Sequence, residues 1–185
     1  GSPRAHLLAF ALASLGYLAG LRAARGCGPG ALRASLGLAL LWRLLLVPAP
    51  PLLSDDVHRY VWEGRIQLHG GNPYAWRDRP EAERWTALRD DVGQGVNPRS
   101  YTAIYPPLWQ LVARGVVALH DSVAAMKLFL VLCEAGCWLV LARLLRRRGQ
   151  APERLLIWAW HPAALVAIAG SGHNEPFGLL FVTLA

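Results

Sequence analysis

Apolar positions along this chain come in blocks, and the blocks have the length of membrane-crossing helices. Residues 5–21 (AHLLAFALASLGYLAGL) and 31–48 (ALRASLGLALLWRLLLVP) are joined by a short turn rich in arginine and glycine. Residues 123–145 (VAAMKLFLVLCEAGCWLVLARLL) make the clearest run and end in Arg146-Arg147-Arg148, and residues 155–171 (LLIWAWHPAALVAIAGS) make another. Runs of this length suit ~30 Å of hydrocarbon at ~1.5 Å rise per residue. Residues 177–185 read as an unfinished helix, so the chain is expected to be part of a larger protein. The expected fold class is all-α, a multi-span transmembrane helical protein. A shorter run, residues 107–120 (PLWQLVARGVVALH), reaches only ~21 Å as a helix and holds Arg114 at its middle. It reads as re-entrant or tilted.

The polar stretch 49–107 interrupts these blocks, which divides the chain into three parts. Residues 1–48 hold two N-terminal spans, 49–107 a loop, and 108–185 further membrane helices. Within the loop, residues 55–69 read as a helix with Ser54 as N-cap. Its apolar positions are Val57, Tyr60, Val61, Ile66 and Leu68, and it stops at Gly70-Gly71-Asn72-Pro73. A second amphipathic helix is expected over 80–91. Both suit an interfacial position, with Trp62, Trp76 and Trp85 as anchors at headgroup level.

Charge fixes an orientation for this pattern. Residues 49–107 hold eight of the twelve acids and seven of the nineteen Lys+Arg; the rest holds four acids and twelve bases. The bases cluster at Arg22, Arg25 and Arg33 and again at Arg143, Arg146, Arg147, Arg148 and Arg154, where the positive-inside rule puts the cytoplasm. The 49–107 loop is then extracytoplasmic, as is the short loop 171–176. Without a basic stripe interleaved with exposed aromatics, the high pI does not indicate nucleic acid. Cys133 and Cys137, four apart in an apolar run, read as small packing residues. Gly1-Ser2 is set aside as a possible cloning remnant.

Two polar constellations open onto the outer face. Asp55 and Asp56 either complement the helix N-terminus, a contribution of typically ~0.3–1 kcal/mol each, or form a repelling pair whose raised pKa suits one member to accept a proton. Arg59 lies at i+4 from Asp55 and Glu63 at i+8; Tyr60 lies at i+4 from Asp56. His173-Asn174-Glu175 is either a polar turn or part of a site. Two ligands fall short of a metal centre, and Asp55 or Asp56 would be needed to complete one. Arg43, inside the second run, either snorkels to the headgroups or faces a phosphate. Lys127 and Glu134 carry the same ambiguity. Trp158, Trp160 and His161-Pro162 read as a kinked, packed span with His161 buried against a partner.

Three segments carry a resemblance. Residues 43–74 (RLLLVPAPPLLSDDVHRYVWEGRIQLHGGNPY), 104–111 (IYPPLWQL) and 158–180 (WAWHPAALVAIAGSGHNEPFGLL) resemble successive landmarks of the GT-C membrane glycosyltransferases. The bacterial polyprenol-phosphate-mannose-dependent branch is the most similar. The resemblance implies a longer, many-span enzyme of the bacterial plasma membrane with its active face outside the cytoplasm. It implies a polyprenyl-phosphate sugar donor, a glycan or glycolipid acceptor and surrounding membrane lipids. The family's catalytic acid maps onto Asp55, with Asp56 beside it, and its Gly-His-x-Asp-like turn maps onto Gly172, His173 and Glu175, where Glu replaces Asp. The expected function is inverting transfer of a hexose, mannose by this resemblance, with Asp55 as general base. Substrate binding is expected from Arg59, Arg43, Tyr60, His173, Asn174 and Glu175. No metal or other cofactor is assigned, although a divalent ion is compatible with the turn. The competing readings are a transporter with Arg43, Lys127 and Glu134 along a polar path, and a non-catalytic assembly partner.

Overall fold

Proline in a first turn starts helix after helix here, because it costs no intrahelical hydrogen bond at that position and presets φ. A computed structural model describes residues 3–75, 82–88 and 102–185. The chain runs through α1 (Pro3–Ala23), α2 (Pro29–Leu46), α3 (Asp56–Leu68), α4 (Ala82–Ala87), α5 (Pro107–Leu119) and α6 (Val123–Arg147). A 3-10 turn (Pro152–Leu155), α7 (Leu156–Ala159), α8 (Pro162–Ala164), a π-helical stretch (Leu165–Gly170) and α9 (Glu175–Leu184) follow. Pro29, Pro107, Pro152, Pro162 and Pro176 all sit in first turns. The described residues are helix and turn, with no strand among them.

Two helices, α2 and α6, are long and apolar enough to cross a membrane. Leu7–Ala23, Pro107–Leu119 and Glu175–Leu184 are shorter apolar helices. Their outward faces stay apolar: Leu15, Leu45, Leu132, Leu139 and Val182 are all exposed. The two ends of the bundle differ. At one, the Gly26 amide donates to Glu153 Oε1 at 2.9 Å, joining the Arg22–Arg25 turn to the segment after Arg148. At the other, Lys127 Nζ donates to the Leu46 and Ala49 carbonyls at 2.7 and 2.8 Å, capping the last turn of α2. Both basic clusters therefore share one end, and the acidic loop starts from the other.

Between the ends, Arg43 and Glu134 form a buried pair. Arg43 Nε and Nη2 donate to the two Glu134 oxygens at 2.6 and 2.8 Å, and Nη1 donates to the Ala39 and Ala159 carbonyls at 3.1 and 2.9 Å. Trp158 Nε1 adds a 2.9 Å bond to Glu134, and Trp138 stacks 4.6 Å from the guanidinium. Arg43 does not snorkel: it is 1% exposed. The lone charges that the sequence offered as a polar path are thus tied off within the protein.

The kink expected within residues 155–171 falls at His161, held at ψ 120° because Pro162 disfavours helical geometry in the residue before it. Two expectations need correction. His161 is exposed and not buried, its Nδ1 accepting from the Ala163 amide and its ring edge-on to Tyr17 at 5.2 Å. Trp62 and Trp85 are buried against each other, Trp62 Nε1 donating to the Trp85 carbonyl at 2.9 Å, so neither anchors at a headgroup. Ala82–Ala87 is the described part of the expected 80–91 helix; the remainder and Trp76 lie outside the described residues.

The short helix α5 pairs with α3. Gly64 makes this close, since a Cβ there would stand 2.9 Å from the Ala113 carbonyl oxygen. Contacts with α3 occur near both ends of α5: Tyr60 meets Trp109 at 5.0 Å, and Arg65 Nε binds Asp121 at 2.9 Å just past its last turn. Ser122 then caps α6, its hydroxyl accepting from the Ala125 amide. Val57, Tyr60, Trp109, Ala113, Met126, Leu130 and Ile168 form the core beneath the polar end.

Candidate functional site

Pro50 and Pro51 lead from α2 into α3, and Asp55 occupies the N-cap position without a side-chain capping bond. Ser54, expected as the cap, serves Asp56 instead. Its hydroxyl accepts from the Asp56 amide at 3.2 Å and donates to Asp56 Oδ2 at 2.9 Å. The two acids are therefore unequal: Asp56 is tethered and half-buried, while Asp55 is exposed. Asp55 lines a groove of about 480 Å³ together with Pro50, Leu53, Ser54 and His58. An apolar groove of about 410 Å³, lined by Trp42, Leu45, Leu46 and Leu165, lies along the last turns of α2 just ahead of it in the chain.

The turn after the π-helical stretch comes to the same place. Buried Ser171 accepts from the Leu53 amide at 3.0 Å and donates to the Val166 carbonyl at 3.1 Å. Gly172 has φ +77°, and a Cβ on it would stand 2.8 Å from Val57 in the first turn of α3. Only glycine allows this approach. The His173 amide donates to the Ala167 carbonyl at 3.1 Å, and its Nδ1 stands 3.6 Å from Glu175 Oε1. Asn174 takes the N-cap position of α9 without a side-chain bond. Asp56 and Glu175 both act on Tyr60: burial first, then the Tyr105 hydroxyl, then these carboxylates push its phenol above the ordinary value. Asp55, Asp56, Tyr60, His173, Asn174 and Glu175 thus belong to one neighbourhood, although 118 residues separate Asp55 from His173.

Arg43 stands apart from that neighbourhood. Arg59 pairs with Glu63, Nε 2.7 Å from Oε1, donates through Nη2 to the Thr102 carbonyl at 2.7 Å, and lies over the Tyr105 ring that Tyr60 also meets. Glu63 has no mark in the sequence beyond its helical spacing from Asp55 and Arg59. It is buried, takes a second bond from Gln110 Nε2, and desolvation lifts its carboxyl above the usual range against the pull of Gln110 and Arg59. Tyr105 completes this network, its hydroxyl 3.3 Å from that of Tyr60 and its carbonyl accepting from Tyr74. The signal lay in Tyr105 and Gln110 of the IYPPLWQL segment, but nothing in the sequence linked them to Glu63. Among the described residues no three His, Cys, Asp or Glu side chains gather as metal ligands; Cys133 and Cys137 are buried free thiols.

A family model described as alpha-(1->6)-mannopyranosyltransferase, N-terminal domain, matches residues 4–185. The chain is also 29% identical over 141 residues to the alpha-(1->6)-mannopyranosyltransferase Rv1459c of Mycobacterium tuberculosis, covering 73% of this chain and 24% of that relative. The chain thus spans about a quarter of the length of that curated relative. No solved structure matches.

Proposed function

Since this chain belongs to the alpha-(1->6)-mannopyranosyltransferase family through its N-terminal domain, we propose that it forms the acid-bearing part of a membrane mannosyltransferase of GT-C type. The reaction moves mannose from a polyprenyl-phosphate donor to a hydroxyl of a glycan or glycolipid acceptor outside the cytoplasm. The observation that supports this reading is the packing of the Ser171–Glu175 turn on either side of the acids, Ser171 on Leu53 and Gly172 on Val57, with the exposed Asp55 lining an open groove. The apolar groove along α2 supports a lipid-linked donor, because an isoprenyl chain laid on Trp42 and Leu45 would bring its head toward Pro50 and Asp55.

In this mechanism the acceptor oxygen forms a bond to the anomeric carbon as the carbon–oxygen bond to phosphate breaks. Asp55 takes the acceptor proton, polyprenyl phosphate departs, and the single displacement inverts the anomeric centre. A positioned general base supplies typically ~10²- to 10⁴-fold. Asp56, held by Ser54, stands beside Asp55 at the start of α3. Arg59 acts as a fixed positive charge one turn further along α3 and holds the returning loop at Thr102. Arg43 has no part, being consumed by Glu134.

The remaining α-helices, short or long, complete a multi-span arrangement in the bacterial plasma membrane together with the rest of the longer protein. A polar transport path is disfavoured because Arg43, Lys127 and Glu134 already have protein partners. The test is mannose transfer by full-length protein in membranes supplied with polyprenyl-phosphate mannose. Asp55→Asn should lower kcat by about 10²-fold or more with little change in donor KM, and the product should have the opposite anomeric configuration to the donor. Undiminished transfer by Asp55→Asn would exclude this assignment.

A further inference from the structure

A second groove, of about 460 Å³, lies at the opposite end of α3 from Asp55. Gln67, Asn72, Tyr74, Gln110, Leu111 and Arg114 line much of it. The twelve residues from Asp55 to Gln67 correspond to ~18 Å along a helix axis. One bound sugar therefore does not reach both grooves.

Arg114 distinguishes this place. It is exposed in the middle of a helix that is apolar apart from it and the buried Gln110, and among the described residues it has no hydrogen bond or ion pair. Arg43, Arg59 and Arg65 are all engaged by carboxylates, whereas no acid is among the described residues that line this groove. The cost of an ionisable group on such a helix calls for an anionic partner. At 3.6 residues per turn, Ala118, Leu111 and Leu108 share the exposed side of α5 with Arg114, while Trp109, Ala113 and Val117 face the core.

The neighbouring amides have unused capacity. Gln67 spends its Nε2 on the Glu63 and Gln110 carbonyls, leaving Oε1 without a protein partner among the described residues. Asn72 accepts from the Tyr74 amide through Oδ1, leaving its amide protons available. A cation, hydroxyl-binding amides and an apolar stripe thus occur side by side.

We propose that this groove binds the phosphate-bearing headgroup of a lipid. Arg114 takes the phosphate, Gln67 and Asn72 take headgroup hydroxyls, and the lipid chain follows Leu111 and Leu108. The occupant is a bilayer phospholipid, since the proposed function already places the donor's phosphate near Asp55. The inference rests on the membrane part of the proposed function and not on the transfer step.

The experiment is native mass spectrometry of the full-length protein from detergent, titrated separately with phosphatidylinositol and with polyprenyl-phosphate mannose. Losing one charge-assisted contact weakens binding by about tenfold or more, so Arg114→Gln should show that loss for phosphatidylinositol. Arg114→Lys should retain part of the affinity. Arg33→Gln, which removes an exposed arginine on α2, should leave both affinities unchanged. A loss confined to phosphatidylinositol supports the proposal, and one that includes polyprenyl-phosphate mannose overturns it. Unchanged binding in Arg114→Gln, or an equal loss in Arg33→Gln, overturns the proposal. Binding is read without turnover, so failure of Asp55 as a base leaves this result independent.

Discussion

Replacing Glu134 by Gln keeps the side chain's shape and removes its charge, leaving the Arg43 guanidinium buried without an anion. Two charge-assisted bonds at 2.6 and 2.8 Å are disrupted, and the Trp158 indole loses a carboxylate acceptor. The two carbonyls that Arg43 also binds satisfy protons but do not neutralise a charge. Breaking a buried pair from one side typically costs ~3–5 kcal/mol, whereas replacing both members with apolar groups is far cheaper. At ~2–4 °C per kcal/mol for a unit of this size, Glu134→Gln should lower Tm by roughly 6–20 °C, and Arg43→Leu by a similar amount. The double variant Arg43→Leu/Glu134→Leu should recover at least about half of that loss, since no isolated charge remains. The assay is thermal unfolding in detergent followed by tryptophan fluorescence, with wild type, both single variants and the double variant in parallel. Additive losses in the double variant, or single variants that melt with wild type, would refute the buried-pair argument.

The other predictions follow from the polar end. Gly172→Ala places a side chain at φ +77° and 2.8 Å from Val57; strain of about 1–3 kcal/mol should appear as a lower Tm, and unchanged melting would show that the turn lies elsewhere. Lys127→Met strips the Leu46 and Ala49 carbonyls of their shared donor; Leu46 keeps the Ala49 amide, so the loss should be about 1–3 kcal/mol in the same melting assay. Burial raises the Glu63 carboxyl above its usual 4.5, so the stability it contributes is fully present below its unfolded pKa and lost as pH rises through the folded value. Tm of wild type minus that of the non-titrating Glu63→Gln should therefore fall with rising pH, and a difference that grows would reverse the sign assigned here.

Local features were readable from the sequence. Adjacent acids and a Gly-Gly-Asn-Pro stop bracket α3 to within a residue or two, because capping and turn chemistry are encoded next to one another. The kink at His161-Pro162 was likewise readable, because proline restricts the residue before it, whereas the exposure of His161 was not. Pairings across long stretches were hidden. Arg43 and Glu134 are 91 residues apart, and each looked like an isolated intramembrane charge with several fates. Arg59 shows the converse: its position four residues after Asp55 was correct, yet competition from Glu63 on the next turn decided where its guanidinium went. The closeness of the acidic loop and the His173 turn followed in outline from both being assigned to the same face, while the Ser171–Leu53 hydrogen bond that joins them left no sequence mark.

The wide turns of Leu165–Gly170 act as a phase setting for what comes after. A π-helical segment accommodates an extra residue relative to α-helix over the same rise. A chain one residue shorter there could close up with ordinary α-helical turns over the same rise, and the downstream imidazole would keep nearly the same aim. A single-residue deletion in this stretch should accordingly be tolerated better than one in the regular turns of α6, because the wide turns already hold the residue that is given up.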